Sequence, residues 1–302
     1  MSFYNHKGGV GKTTTALLTA YGLLNLNKRV LLMDLDVQHN LTLSLVDFKT
    51  LENEDELVTS FDLAKDYYKD PSPIPIEVIK LDGSKGYIHI IPSLEKDIVK
   101  LIRGELPLTD PFALKHVVEK LKDRYDYILL DLPPVFLASS QWGLFISDFM
   151  IVPINATDYS QYSSYILVKD ILPRIIPNKK VKVLGFLINN VNVRNPEKLI
   201  KDVKDDLNDY MKNALTMYPQ LIEYFYPDIV FNTYIPQDAE LRELIRFNDK
   251  YPRIYETIRK STYGPTTKVR EIVKERLPVE IEQRIHTFLE KEKREQLEAV
   301  KI

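Results

Sequence analysis

Nine residues near the start of the chain, His6-Lys7-Gly8-Gly9-Val10-Gly11-Lys12-Thr13-Thr14, constrain the fold more than any other stretch. A short apolar run, Met1 to Tyr4, precedes them, and Ala16, Leu17, Leu18, Ala20 and Leu23 follow at helical spacing. The pattern predicts strand, tight loop, helix. The chain has 10 glycines, and three of them fall within residues 8–11, so this cluster has a local cause. A loop whose backbone N–H groups turn inward around phosphate needs residues without a Cβ. The helix behind it aims its positive end at the same anion. Gly8, Gly9, Val10, Gly11, Lys12, Thr13 and Thr14 then form the phosphate cradle. Lys12 reaches the β- and γ-phosphates, and the Thr13 hydroxyl binds Mg²⁺.

Two further apolar runs end in acids. Lys28 to Met33 leads into Asp34-Leu35-Asp36, and Tyr127 to Leu130 leads into Asp131-Leu132-Pro133-Pro134. Buried parallel strands read this way, and ligands in such sheets sit at the strands' carboxyl ends. Asp34, Asp36 and Asp131 are therefore expected beside the phosphate loop, with Asp131 placed to hold a Mg²⁺-bound water. Tyr87–Ile91, Phe149–Ile154 and Val183–Ile188 read as further strands. Helical spacing appears near Ser60 to Tyr68 and over Pro111 to Lys122, where His116 is read as a surface residue. Residues 48–86 are acidic, then proline-rich, and the part after the helix near Ser60 to Tyr68 reads as loop. Lys268 to Ile302 is densely charged, with Ile281, Ile285, Phe288 and Leu289 on one helical stripe that packs on the domain or on a second copy. Pro278 is expected to split this stretch into two helices.

A chain of 302 residues can build one large α/β domain, and its net charge of −2 does not mark a general nucleic-acid binder. Any DNA contact must come from a local basic patch. With no cysteine, disulfides, thiolate metal sites and iron–sulfur ligation are excluded. No run approaches the apolar length of a membrane span, and the chain opens directly into a strand without a signal-peptide pattern. The expectation is a cytoplasmic protein with no membrane contact.

The second lysine at the loop's mouth carries the sequence further. Lys7-Gly8-Gly9-Val10-Gly11-Lys12-Thr13 resembles the deviant Walker A loop of the ParA/MinD ATPases. Asp34-Leu35-Asp36-Val37-Gln38-His39-Asn40 resembles that family's second motif, with Val37 at a usual proline and His39 at a usual glycine. Ile91-Pro92-Ser93, Asp131-Leu132-Pro133-Pro134, Ala156 to Ser160 and Val230 to Asp238 also resemble family segments. The resemblance covers residues 1 to about 250 and fades beyond Tyr251. It implies a P-loop NTPase of α/β type, with a twisted, mostly parallel sheet flanked by helices on both faces. Residues 1–250 would be the ATPase domain and 251–302 a charged helical extension of it. It implies ATP and Mg²⁺ as ligands, Lys7 reaching across a homodimer to the partner's ATP, Asp36 positioning the attacking water and Asp34 orienting the Mg²⁺ shell. Asn189, Pro236 and Asp238 match the family's adenine contacts, although Asn189 reads equally as a turn residue.

The phosphate loop starts at residue 6, so the chain should resemble the short ParA type, without the larger relatives' N-terminal winged-helix domain. That type implies ATP hydrolysis, non-specific DNA binding by the dimer, and a ParB-like centromere-binding partner in plasmid or chromosome segregation. Candidate DNA-facing cations are Arg194, Lys198, Lys201, Lys204, Arg242 and Arg246; each alone is more often a solvated face than a phosphate contact. The competing readings are a MinD-like positioning ATPase acting at a membrane or on another cargo, and a non-hydrolysing binding module. The first needs a terminal amphipathic helix with bulky apolar residues against a basic face, and Lys291 to Ile302 is mixed in charge. Retention of Lys7, Lys12, Asp36 and Asp131 argues against the second.

Overall fold

The computed structural model describes residues 1–66, 69, 73–80, 85–107, 110–136, 138–156, 164–177, 181–192, 196–237 and 269–299. Its strands are β1 (Ser2–Phe3), β2 (Arg29–Asp34), β3 (Ile76–Lys80), β4 (Tyr87–Ile91), β5 (Tyr127–Asp131), β6 (Phe149–Asn155), β7 (Lys182–Val191) and β8 (Val230–Pro236). They form one sheet in the order β3-β4-β2-β5-β1-β6-β7-β8. Every neighbouring pair is parallel except β3–β4.

The α-helices among the described residues are α1 (Lys12–Asn25), α2 (Asn40–Leu45), α3 (Phe48–Leu51), α4 (Ser60–Lys65), α5 (Glu95–Ile102), α6 (Lys115–Leu121), α7 (Ala138–Ile146), α8 (Leu172–Ile175), α9 (Pro196–Met217) and α10 (Leu277–Ala299). Alternate residues of each central strand feed two cores on opposite faces of the sheet. In β2, Leu31 and Met33 join the core under α6, α7 and α9, while Val30 and Leu32 join the core under α1 and α10. That is the architecture expected of parallel strands buried on both faces. α1 is buried nearly all round. Leu17, Leu18, Leu23 and Leu24 have no exposed surface, and each contributes roughly 1.5–3 kcal/mol by burial.

Several elements depart from the expectations. β3 lies within the stretch read as loop; it is an antiparallel edge strand on β4. Lys115–Leu121 and Ser60–Lys65 are shorter than the spacing suggested, and Tyr67 and Tyr68 lie outside the described residues. His116 is exposed, as expected. Pro278 does not divide the C-terminal stretch. A widened π-helical turn, Ile272–Arg276, runs through Leu277 straight into α10, with helical backbone on both sides. Pro278 has no N–H to donate to the carbonyl four residues back, and the wide turn absorbs that missing bond without a break.

The same turn seats residues 269–299 on α1. A Cβ at Gly22 would come within 2.8 Å of the Val273 carbonyl and 3.1 Å of the Pro278 ring, so glycine permits this approach. Ile281 is fully buried, Ile285 half-buried and Leu289 exposed, so only part of the predicted stripe packs inward. Arg284, 2 % exposed, donates to the backbone carbonyls of Leu184, Asp228 and Val230 and to Glu280. Glu280 in turn accepts from the N–H groups of Asn232 and Thr233. The paired charges tie α10 to β7 and β8, leaving neither charge uncompensated in the interior.

Candidate active site

β1 leads straight into the phosphate loop, and side chains from neighbouring strands hold that loop in shape. The Lys7 N–H donates to Asn5 Oδ1 at 3.0 Å, while the Asn5 amide donates to the Pro153 carbonyl at 2.8 Å. Gly9 and Gly11 have φ of 75° and 86°, a left-handed backbone that side chains resist. Gly11 is doubly constrained, because a Cβ there would lie 1.9 Å from Asn189 Nδ2. Gly8 and Gly9 are open, with nothing within 4 Å of a Cβ built on either. Gly11 begins α1 without a side-chain cap, and the first turn carries no acid. The helix's leading N–H groups and its positive dipole therefore remain available to an anion.

Lys12 is buried, and its ammonium donates to the Lys7 carbonyl at 3.3 Å. Burial pulls its pKa below the ordinary lysine value, against the opposing pull of Asp131 and Asp36. Lys7 itself is half-buried, next to the exposed Gly8 and Gly9. Gly8, Gly9, Gly11, Lys12, Thr13 and Thr14 line a cleft of about 530 Å³, faced by Asp36, Gln38 and Pro134.

The three acids converge as expected. Asp34 and Asp131 end adjacent strands directly in register. Thr13 Oγ1 donates to Asp131 Oδ2 at 2.7 Å, and the other carboxylate oxygen of Asp131 is buried without a partner. Asp34 has no exposed surface and accepts from Thr42 N–H and Oγ1 at 2.9 and 2.8 Å and from Asp36 N–H at 3.2 Å. Asp36 is half-exposed at the cleft wall and accepts from the Gln38 N–H at 3.0 Å. A phosphate cradle beside two buried carboxylates, one with an unpartnered oxygen, and a threonine hydroxyl is a donor set that suits a hard cation such as Mg²⁺.

The acids crowd one another electrostatically. Burial pushes the Asp131 carboxyl up to about 7, with the Thr13 hydrogen bond opposing, Asp36 adding and Lys12 opposing. Asp34 is pushed up by burial and then by Asp131, with Thr42 opposing. A raised carboxyl binds protons in the folded state that the unfolded chain has already released. Stability of the nucleotide-free, Mg²⁺-free protein should therefore fall as pH rises from about 4 through about 7. Asp131→Asn should flatten that decline, measured as the urea midpoint at several pH values. An unchanged slope in the variant would contradict it.

Asn189, 4 % exposed, lies beneath the loop, where its amide donates to the Val10 and Gly11 carbonyls at 3.2 Å and to Thr15 Oγ1 at 3.3 Å. It braces the loop from below. β7 continues past it to Val191, so it is not a turn residue. Pro236 ends β8 opposite Val191, and Asp238 lies outside the described residues. Of the candidate DNA cations, Arg194, Arg242 and Arg246 lie outside the described residues. Lys198 and Lys201 are exposed on the first turns of α9, and Lys204 donates to Asn232 Oδ1.

Three contributors were not read from the sequence, and a fourth, His39, was read only as a departure at a usual glycine. Thr42 grips Asp34. Asn5 shapes the loop's entry. Asn155, at the carboxyl end of β6, donates toward the Gly9 carbonyl at 3.4 Å. His39 sits at φ 45° as it begins α2 and donates its N–H to the Asp36 carbonyl at 2.9 Å. Position at a strand's carboxyl end was the available signal for Asn5 and Asn155.

Comparison with known proteins follows the same line. Residues 1–185 match the family described as AAA domain. The sporulation initiation inhibitor protein Soj of Bacillus subtilis is 27 % identical over 79 % of this chain and 84 % of its own length. The structure of pNOB8 ParA superposes with a TM-score of 0.80 at 25 % identity, covering 95 % of this chain and 98 % of that one. The same protein has been solved bound to nonspecific DNA, at TM-score 0.76 and 24 % identity with the same coverage. Cobyrinic acid a,c-diamide synthase of Mycobacterium smegmatis, with bound ADP and magnesium, gives a TM-score of 0.55 at 25 % identity over 68 % of this chain and 80 % of that one.

Proposed function

Because the chain belongs to the AAA domain family and is a ParA-type partition ATPase, we propose that it works as an ATP-driven switch on DNA. ATP binds in the cradle of residues 8–14. Two copies close face to face over their nucleotides, and the closed homodimer holds DNA without sequence preference. A ParB-like, centromere-bound partner then triggers hydrolysis to ADP and phosphate, and the dimer releases. The cargo is a plasmid or a chromosome. The observation that carries this reading is the loop itself, with buried Lys12 and half-buried Lys7 at its mouth and the three acids behind it.

In that scheme Lys12 and the loop's N–H groups hold the β- and γ-phosphate oxygens, where charge builds during phosphoryl transfer. Mg²⁺, held by the Thr13 hydroxyl with Asp131 and Asp34 behind it, would neutralise the same oxygens. Asp36, fixed by Gln38, orients the attacking water. Lys7 reaches the partner copy's nucleotide. By the resemblance, Asn189, Pro236 and Asp238 are assigned to the adenine, with Asn189 also holding the loop. The DNA-facing surface is assigned to Arg194, Lys198, Lys201, Lys204, Arg242 and Arg246. α9 also carries Glu197, Asp202, Asp205, Asp206 and Asp209, so its cationic stretch is short, and two copies are needed to sum the phosphate contacts.

A membrane-positioning role finds no support in α10, whose exposed end is held by the i,i+4 pairs Lys291–Glu295 and Glu290–Arg294 and carries no basic face. No described helix is long and apolar enough to cross a membrane.

ATP turnover with and without random-sequence duplex separates the readings. The expected result is slow basal turnover that duplex DNA raises, with the rise lost in the Lys198→Glu, Lys201→Glu double variant. Turnover raised instead by anionic vesicles would favour the positioning role. Binding without any turnover would favour a non-hydrolysing module.

A further inference from the structure

Behind the nucleotide cleft lies a second, smaller cavity of about 300 Å³, lined by Val37, Phe61, Leu106, Pro133, Phe136 and Trp142 among others. The two spaces share their walls. Asp36, Gln38 and Pro134 face the nucleotide cleft, while Val37 and Pro133, their immediate neighbours in the chain, face the small cavity. Segments 36–38 and 133–134 are thus partitions one residue thick.

Three observations describe what the cavity would take. Its walls are chiefly apolar and aromatic, and Phe61 and Trp142 meet edge to face at 6.0 Å, a surface that suits a ring. Trp142 is 1 % exposed, and its indole N–H has no hydrogen-bond partner, an expensive state for a buried donor. Arg174 is not itself a lining residue; it is exposed, with its guanidinium 5.8 Å from the Phe136 ring that forms part of the wall. Among the described residues Arg174 forms no ion pair, whereas Lys65 and Lys100 on the flanking helices are paired with Glu105 and with Asp62 and Asp97. A ring for the walls, an acceptor for a donor and an anion for a cation describe one chemical class.

We infer that this cavity is an effector site for a small aromatic carboxylate, and that filling it acts on the nucleotide cleft through Val37 and Pro133. The mechanical link is short. The Val37 carbonyl is held by His39 Nδ1 at 3.0 Å, and the Asp36 carbonyl and carboxylate are held by the His39 and Gln38 N–H groups. Val37 cannot shift without carrying Asp36 and Gln38 with it. Binding in the cavity stands independently of the ATPase reading; the coupling rests on it.

The chain has a single tryptophan, Trp142, so its emission reports the cavity directly. The probe is 3-phenylpropionate, titrated into the full-length, nucleotide-free protein with excitation selective for tryptophan. A saturable change in emission is expected, with the neutral 3-phenylpropanamide binding roughly tenfold more weakly. Arg174→Gln, on the surface, should bring the acid down to the amide's affinity. Ala138→Phe, which fills the cavity from the start of α7, should remove both responses; Ala138→Leu is the milder variant if that one is unstable.

A fluorescent ATP analogue, titrated with and without saturating probe, reads the coupling as a shift in its affinity of at least about threefold. Lys12→Ala should lose the analogue and keep the probe response, so failure of the nucleotide reading leaves the cavity reading measurable. No saturable response in the wild-type protein, or a response as large as the wild type's in both Ala138 variants, overturns the site. Equal affinity for acid and amide overturns the assignment of Arg174. Unchanged analogue affinity overturns the coupling.

Discussion

Lys12→Ala is expected to lower ATP affinity roughly a thousandfold, about 4 kcal/mol, while the fold survives. Lys12 begins α1, buried at the floor of the cleft. Among the described residues its ammonium meets only the Lys7 carbonyl as a hydrogen-bond acceptor, at 3.3 Å, and the charges of Asp131 and Asp36 act on it. A cation kept in that position is poised for a stronger anion, and the β- and γ-phosphates are that anion. Removing it takes away the main protein cation on the β- and γ-phosphates and leaves their charge to the loop's backbone dipoles and to Mg²⁺. Calorimetric titration with a non-hydrolysable ATP analogue measures the loss, with the thermal midpoint as the control for folding. Unchanged affinity would remove the phosphate-loop assignment altogether.

Asp36→Ala is expected to cut turnover by roughly two to three orders of magnitude with ATP affinity nearly intact. Asp36 lines the cleft wall but takes no part in the loop's own hydrogen bonds. Without it the nucleotide binds and the water has no orienting base, so the ATP-bound dimer should accumulate. Lys7→Ala should do the reverse. Its backbone, which the substitution keeps, supplies the bonds it is seen to make in the cradle, from its N–H to Asn5 and from Lys12 to its carbonyl. ATP still binds, and the dimer fails to form because the contact across to the partner's nucleotide is missing. Gel filtration with ATP and Mg²⁺ resolves the two. If both variants dimerise equally, the cross-protomer role of Lys7 is wrong.

The parts of the site that are written as local patterns were legible in the residues. A glycine-rich loop between an apolar run and a helical run has one economical fold, and acids at the ends of buried parallel strands must arrive at the same edge of the sheet. Asp34 and Asp131 meet in register for that reason. What stayed hidden depends on contacts distant in sequence. Nothing near Asp34 signals that Thr42 will close over it, because α2 must first fold back from the strand. Arg284 reads as one more charge on a charged helix, and only the packing of α10 reveals that three carbonyls from β7, β8 and the chain before β8 converge on it.

Edge and boundary effects account for other differences. β3 was masked by Pro73 and Pro75 just before it, although Ile76-Glu77-Val78-Ile79-Lys80 begins with the alternation of an edge strand. α7 was not anticipated, since its run of small and apolar residues, Ala138 to Ile146, lacks the polar face that marks a surface helix. Pro278 was given its usual meaning as a breaker. A widened turn ahead of it, seated on Gly22, let the helix run on.

The most direct measurement is the anisotropy of a fluorescent random-sequence duplex titrated with the protein in the presence of ATP and Mg²⁺, of ADP and Mg²⁺, and of no nucleotide. The net charge of −2 gives a single copy little general attraction for DNA, whereas an ATP-closed dimer sets two copies of the Lys198 and Lys201 surface side by side. Binding should appear only with ATP, show no preference among sequences, and weaken steeply, by at least roughly tenfold, between 50 and 200 mM salt. Equal binding in all three nucleotide states, or none with ATP at the lower salt, would contradict the account of a nucleotide-gated DNA switch.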